Sequence, residues 1–188
     1  MRAEVVLVRH ARPLLPTPNG PDDHHRPLTE EGFAQAERLV GDLAAIMPAS
    51  IASSPYLRAV QTVEPTARAL GMSIERHHDL REWDSGLEPT PDYARHYAHS
   101  WADPHFARPG GESLHDLTVR ATAVLESLAR RHPDGTVVVG SHGTFISRAL
   151  VGAGLHGVDW PFSRAMPMPA IYRLRFTDRG VRATGPGL

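Results

Sequence analysis

Val5-Val6-Leu7-Val8 is an unbroken apolar run that stops at once on Arg9-His10. A run with no polar residue at alternate positions predicts a strand buried on both faces, as in a parallel sheet covered by helices. Thr136-Val137-Val138-Val139-Gly140 repeats the pattern and ends on Ser141-His142-Gly143. Helical patterns and shorter strands fill the interval. Thr29 predicts an N-cap, with Glu30 and Glu31 in the first turn and Phe33, Ala36, Leu39, Val40 and Leu43 at helical spacing, so a helix is expected to about Met47. Ser50 to Ser53 predicts a second strand. Ser54-Pro55 predicts the cap and first residue of a helix through Leu57, Val60 and Val63, which Pro65 should kink or end early.

Ser73 to Glu75 predicts a weak third strand, and Ser113 with Asp116 a capped helix carrying Leu117, Ala121, Leu125 and Leu128. A further helix is expected over Thr144 to Val151. Ile171 to Phe176 predicts a strand, with a turn at Asp178-Arg179-Gly180 into an edge strand from Val181 to Thr184. The alternation predicts a single α/β domain over 1–188, three-layered, with a mostly parallel central sheet and helices on both faces. Segment 83–111 is rich in Pro and His and shows little periodicity. It reads as a small lid subdomain inserted before the penultimate helices, because it holds Trp83, Tyr93, Tyr97, Trp101 and Phe106.

The length of 188 residues suits one domain with a real core. A formal net charge of −1 gives no electrostatic footprint for nucleic acid or a membrane surface. All 20 basic residues are arginine. The missing lysine excludes Schiff-base chemistry, a Walker-type phosphate lysine and a lysine general base. Zero cysteines exclude thiol nucleophiles, disulfides and thiolate metal sites. No apolar stretch approaches ~18 residues, so a soluble cytoplasmic protein is expected. With 12 histidines in the chain, the chemistry should run on histidine, arginine and carboxylates.

Three polar clusters follow predicted strand ends: Arg9-His10, then Ser53-Ser54-Pro55 with Arg58, then Ser141-His142-Gly143. In an open parallel sheet these ends share one edge, where ligands bind. Two guanidinium forks match a tetrahedral oxyanion, and helix N-termini beside them should add amide donors. A lone arginine or histidine at such a place is an ordinary ion-paired loop residue. Three clusters converging on one edge instead predict a shared phosphoryl site. His24-His25, His77-His78 and the His96/His99 pair lack an HExxH motif or a completing carboxylate, so no metal is expected. Ser141 lacks the G-x-S-x-G elbow of a serine hydrolase. The aromatic residues of segment 83–111 fit either a pocket lining or core packing.

Six blocks, in order from Val5 to Ile146, are VVLVRHARP, LTEEGFAQAERL, SSPYLRAVQT, LREWDSG, GGES and VVVGSHGTFI. Together they resemble the histidine phosphatase superfamily, the phosphoglycerate mutase-like family. The resemblance implies that His10 is a nucleophile forming a phosphohistidine, and that Arg9, Arg58 and His142 hold the phosphoryl oxygens, with Gly143 beside them. It implies that Glu82 protonates the leaving oxygen and later deprotonates water. It implies a small phosphomonoester as partner, a phosphoprotein staying open, with no cofactor, nucleic acid or membrane. Such a nucleophile must be neutral, so its second ring nitrogen needs an acceptor, expected to be a backbone carbonyl.

The chain departs from the family pattern in three places. Ala11 replaces the glycine after Arg9-His10, and Leu87-Glu88-Pro89 replaces an aromatic–glutamate pair. Arg12-Pro13-Leu14-Leu15-Pro16 stands where hydroxyl and amide side chains usually complete the pocket, so Arg12 or Asn19 is expected to reach in. Two other readings stand beside hydrolysis. One is a phosphoglycerate mutase, which the end of the chain at Leu188 disfavours, since mutases generally carry a longer tail. The other is a non-catalytic phosphate-binding module. The natural substrate and oligomeric state stay open.

Overall fold

The computed structural model describes residues 2–17 and 19–188. Strand β1 (Ala3–Arg9) pairs in parallel with β4 (Thr136–Ser141) and antiparallel with β5 (Ala170–Thr177). β2 (Ser50–Ser53) joins β4 in parallel and carries β3 (Ile74–Arg76), while β6 (Gly180–Thr184) forms a hairpin with β5. The order is β3-β2-β4-β1-β5-β6. Four parallel strands thus carry an antiparallel pair at one edge, the mostly parallel sheet that the alternation predicts.

The unbroken apolar run of β1 follows from burial on both faces. Val5 and Leu7 pack with α4 (Leu114–Arg131) and α5 (Gly143–Gly152), whereas Val6 and Val8 pack with α1 (Glu30–Ala45) and α2 (Leu57–Leu70). All four are fully buried. Each such side chain contributes about 1.5–3 kcal/mol relative to exposure. The helix following β1 covers one face and the helix following β4 the other. The chain therefore diverges at the carboxyl ends of these neighbouring strands and opens a crevice there.

Local chemistry sets the helix starts. Thr29 Oγ1 accepts from the Gly32 amide at 3.0 Å and Ser113 Oγ from the Asp116 amide at 3.0 Å, as both caps predict. The start of α2 differs: it begins at Leu57, two residues later than Pro55. The Ser54 hydroxyl turns instead toward the site described below. Nor does Pro65 end α2, which runs on to Leu70 and closes on Gly71 in the left-handed region at φ +65°. Val63, Thr66 and Ala67 are buried around Pro65, and that packing outweighs the lost backbone bond.

Two helices lie outside the sequence prediction. In α3 (Tyr93–Ala102) only Ser100 is fully buried, so no apolar stripe announces it. The short α6 (Trp160–Ala165) is capped by Asp159, which accepts from the Phe162 amide at 2.9 Å. No helix among the described residues is long and apolar enough to cross a membrane.

Gly140 lets α2 lie close on β4: a Cβ there would sit 2.9 Å from the Ala59 carbonyl oxygen and 3.1 Å from Val63 Cγ1. Gly140→Ala is expected to cost about 1–3 kcal/mol, read as a lower urea midpoint at unchanged slope. An unchanged midpoint would mean that α2 moves freely off the sheet.

Candidate active site

His10 continues the ladder of β1, its amide donating to the Ser141 carbonyl at 3.0 Å. Its Nδ1 lies 2.8 Å from the Ala11 carbonyl oxygen. That oxygen only accepts, so Nδ1 carries the ring proton and Nε2 the lone pair. The expected backbone acceptor is therefore present. Burial pushes the His10 pKa down to about 3, with Arg58 and Arg9 adding to the fall, so the imidazole is neutral. The ring is 6 % exposed and lines a cavity of about 1090 Å³.

Thr62 fixes this turn and was not among the predicted site residues. The Ala11 amide donates to Thr62 Oγ1 at 2.9 Å, and that hydroxyl donates to the Arg58 carbonyl at 2.7 Å. The hydroxyl thereby ties the His10 loop to the first turns of α2. The one sequence signal for it was its place at the end of the SSPYLRAVQT block, four residues after Arg58.

His142, just after β4, brings its ring centroid to 5.3 Å from that of His10, edge to face. Its Nε2 is 2.7 Å from Ser54 Oγ, which also accepts from the Tyr56 amide at 3.3 Å. Burial holds the His142 pKa well below the ordinary value, with Arg58 the next cause. Arg9 is anchored by the carbonyls of Met166 and Pro167, the latter at 3.3 Å. Gly143 serves Arg9: a Cβ there would lie 3.1 Å from Arg9 Nε and 3.2 Å from Cζ. Arg58, 3 % exposed, packs over the Tyr56 ring at 4.9 Å. Among the described residues, Arg9 Nε, Arg58 Nε and His142 Nδ1 are buried without a hydrogen-bond partner. Three orphaned donor positions in one neighbourhood suit an oxyanion.

Glu82 lines the same cavity. Its Oε1 accepts from the Trp83 and Phe145 amides at 2.9 and 3.0 Å, and its Oε2 from the Thr144 amide at 3.2 Å. Burial raises its pKa above the usual carboxylate range, and the three amides and Arg58 only partly oppose the rise. Two first-turn amides of α5 thus go to Glu82. The Leu57 amide at the start of α2 goes to the His24 carbonyl at 2.9 Å. The Thr144, Phe145 and Leu57 amides are engaged within the protein, which leaves the Gly143 and Arg58 amides as the first-turn donors the expectation can rest on.

The structure places His10, Arg58 and Glu82 on one cavity at the strand ends. It sets His142 against the His10 ring and Arg9 near it without either lining that cavity, and leaves two predicted residues away from the group. Arg12 is exposed and pairs with Glu31 at 3.0 Å on α1. Asn19 is exposed and is not among the residues lining the cavity. What reaches Arg58 from this loop is Asp23: its carbonyl accepts from Arg58 Nη1 at 2.6 Å and its Oδ2 lies 3.2 Å from Nη2. Asp23 also accepts from Arg26 Nε at 3.0 Å. Burial opposes its charge, yet Arg58 and Arg26 hold its carboxyl below the ordinary range. A single sequence offers no sign that this carboxylate, among several in a proline-rich loop, turns inward. The aromatic residues divide: Trp83, Tyr93 and Tyr97 line the cavity, while Trp101 stacks under Arg148 and Phe106 meets His99.

The sequence profile of the histidine phosphatase superfamily (branch 1) matches residues 5–186. Phosphoserine phosphatase 1 of Hydrogenobacter thermophilus is 33 % identical over 147 residues, covering 72 % of this chain and 69 % of that protein. A bifunctional protein of Mycobacterium tuberculosis is 30 % identical over 158 residues, 78 % of this chain but only 43 % of its own length. Among solved structures, Bacillus stearothermophilus YhfR superposes with a TM-score of 0.80 at 25 % identity, covering 98 % of this chain and 96 % of that one. A mycobacterial glucosyl-3-phosphoglycerate phosphatase gives 0.79 at 21 %, covering 99 % and 98 %. The chain belongs to the histidine phosphatase superfamily, branch 1. By class it is a phosphohydrolase.

Arg58→Ala is expected to weaken vanadate binding by about 1.5–3 kcal/mol, the worth of a hydrogen bond to a charged group. Unchanged affinity in a calorimetric titration would remove Arg58 from the clamp. Asp23→Asn should act oppositely, tightening vanadate binding about fivefold by freeing Arg58 of a partly exposed ion pair. Weaker binding in that variant would show that Asp23 organises Arg58 instead of competing with the anion.

Proposed function

We propose that the chain hydrolyses small phosphomonoesters through a phosphohistidine on His10, with Glu82 as proton donor and then acceptor. The carrying observation is the neutral His10 ring, its proton held on Nδ1 by the Ala11 carbonyl and its Nε2 left with the lone pair, in a cavity that Arg58 and Glu82 share. In the first step Nε2 attacks phosphorus and the P–O bond breaks. The leaving oxygen takes the proton of Glu82, whose raised pKa suits that task. In the second, Glu82 takes a proton from water, the water oxygen attacks phosphorus, and the P–N bond breaks to restore His10.

Arg9 and Arg58 neutralise the phosphoryl oxygens throughout. The Ser54 hydroxyl can donate to His142 Nε2, which puts the His142 proton on the unpartnered Nδ1 as a third donor. Segment 83–111 forms the outer wall of the cavity and acts as its lid. The phosphoserine and glucosyl-3-phosphoglycerate phosphatases among the similar proteins support a small substrate.

p-Nitrophenyl phosphate should be turned over with EDTA present, and His10→Ala should abolish the activity. Tight phosphate binding without turnover would mark a binding module instead. Glu82→Gln should cost alkyl phosphates far more rate than p-nitrophenyl phosphate, whose leaving group needs no proton; equal losses would remove Glu82 from the role. Because Glu82 must be protonated to donate, the rate on alkyl phosphates should fall as pH rises through its elevated pKa. His10, neutral down to about pH 3, should add no acid limb above that.

A further inference from the structure

The cavity in front of His10 has an inner end, where Arg58 lies with the carboxylates of Asp23 and Glu82. Its outer wall lies on segment 83–110, whose charged residues there are both acidic. The inner end holds Arg58, 3 % exposed and with its Nε unpartnered. The outer wall carries the carboxylates of Asp84 and Glu88 beside the rings of Trp83, Tyr93 and Tyr97. Both carboxylates are exposed, and neither forms an ion pair among the described residues; Asp84 Oδ1 accepts only from the Gly86 amide at 3.2 Å.

The arginines near this wall are already engaged. Arg26 binds Asp23 and the Leu14 carbonyl. Arg108, packed beside Gly86, donates to the carbonyls of Ser85 and His96 at 3.2 and 3.0 Å and to Ser100 Oγ. A substrate carboxylate would therefore meet two like charges and no free guanidinium. The rings are set on edge to one another: Tyr93 to Tyr97 at 5.7 Å and 90°, Tyr97 to Trp83 at 4.9 Å and 66°. Aromatic faces beside unpaired carboxylates are the surroundings that an ammonium group prefers.

Resting on the phosphatase reading of this site, we propose that the preferred substrate is a phosphomonoester whose alcohol carries an ammonium group. Its phosphoryl end meets Arg9 and Arg58 and its cationic end meets Asp84 and Glu88. Asp84 follows Glu82 by two residues in the same stretch of the cavity wall, so the test uses short alcohols.

Three short esters isolate the end group: O-phosphoethanolamine, ethyl phosphate and phosphoglycolate end in ammonium, methyl and carboxylate. Their intrinsic reactivities differ, so the decisive reading is the change on substitution. In Asp84→Asn/Glu88→Gln, kcat/KM for O-phosphoethanolamine should fall about fivefold relative to ethyl phosphate, the scale of an exposed ion pair. That for phosphoglycolate should rise relative to ethyl phosphate. In the wild type, added salt should erode the ammonium preference. Relative rates that the double variant leaves unchanged would overturn this inference while hydrolysis itself stands. No turnover of any of the three, nor of p-nitrophenyl phosphate, would overturn the phosphatase reading from which it comes.

Discussion

The cationic centre at the strand ends sets the terms for the rest of the molecule. Half-buried Arg9 and buried Arg58 lie near His10 and His142, and both arginines have lowered pKa values because loss of solvent disfavours their charge. Three of the polar atoms there have no partner. A buried donor left unmade costs about 1–3 kcal/mol, so these atoms are the ones an oxyanion would satisfy. The same burial sets the state of His10: the loss of water and two nearby guanidiniums keep its ring neutral. The cations that suit an anion thus also leave an imidazole lone pair free beside them.

Holding such a centre requires a rigid frame, and the sheet supplies it. β1 and β4 are neighbours buried on both faces, so His10 and His142 leave the sheet at fixed separation. Glu82 needs separate support because it lies in a loop. Its carboxylate is pinned by the first turn of α5, and Trp83 Nε1 donates to the Glu112 carbonyl at 2.7 Å. Glu112 in turn pairs bidentately with Arg120 at 2.8 and 2.7 Å. His142 and Glu82 are therefore referenced to the same β4–α5 junction, one by chain continuity and one by hydrogen bonds.

How much of this was legible in the sequence depends on how local each cause is. The β1 and β4 runs declare their two-faced burial residue by residue, and the caps at Thr29 and Ser113 are decided within three residues. The gathering of Arg9, Arg58 and His142 follows from strand ends alone. By contrast, α3 turns one fully buried residue inward and leaves no periodic trace, and α2 survives Pro65 through packing made by distant segments. Arg12 and Asp23 lie eleven positions apart in one loop. Which of them turns inward depends on Glu31 and Arg58, neither of which is near Asp23 in the chain. Side-chain direction in a proline-rich loop is a tertiary property, and residue type alone does not specify it.

The absence of lysine acquires a structural meaning in this setting. The arginines around the site work as staples with several donors in a fixed plane, a geometry that the compact ammonium of lysine does not offer. Arg120 binds Glu112 through two nitrogens and still reaches the carbonyls of Asp79 and Arg81 at 2.7 and 3.1 Å. Arg108 spans Ser85 and His96, and Arg9 reaches Met166 and Pro167. Except for that of His96 in α3 and that of Asp79 in a short 3-10 turn, these carbonyls lie in irregular segments, and none belongs to the sheet. A lysine at position 120 would have to choose between Glu112 and the carbonyls on either side of Leu80, and the Glu82 loop would lose its second point of attachment. Arginine thus both supplies the buried cation beside His10 and fastens the walls around it. The second task explains why the forks of Arg108 and Arg120 are filled with carbonyls while Arg58 keeps a buried nitrogen unpaired.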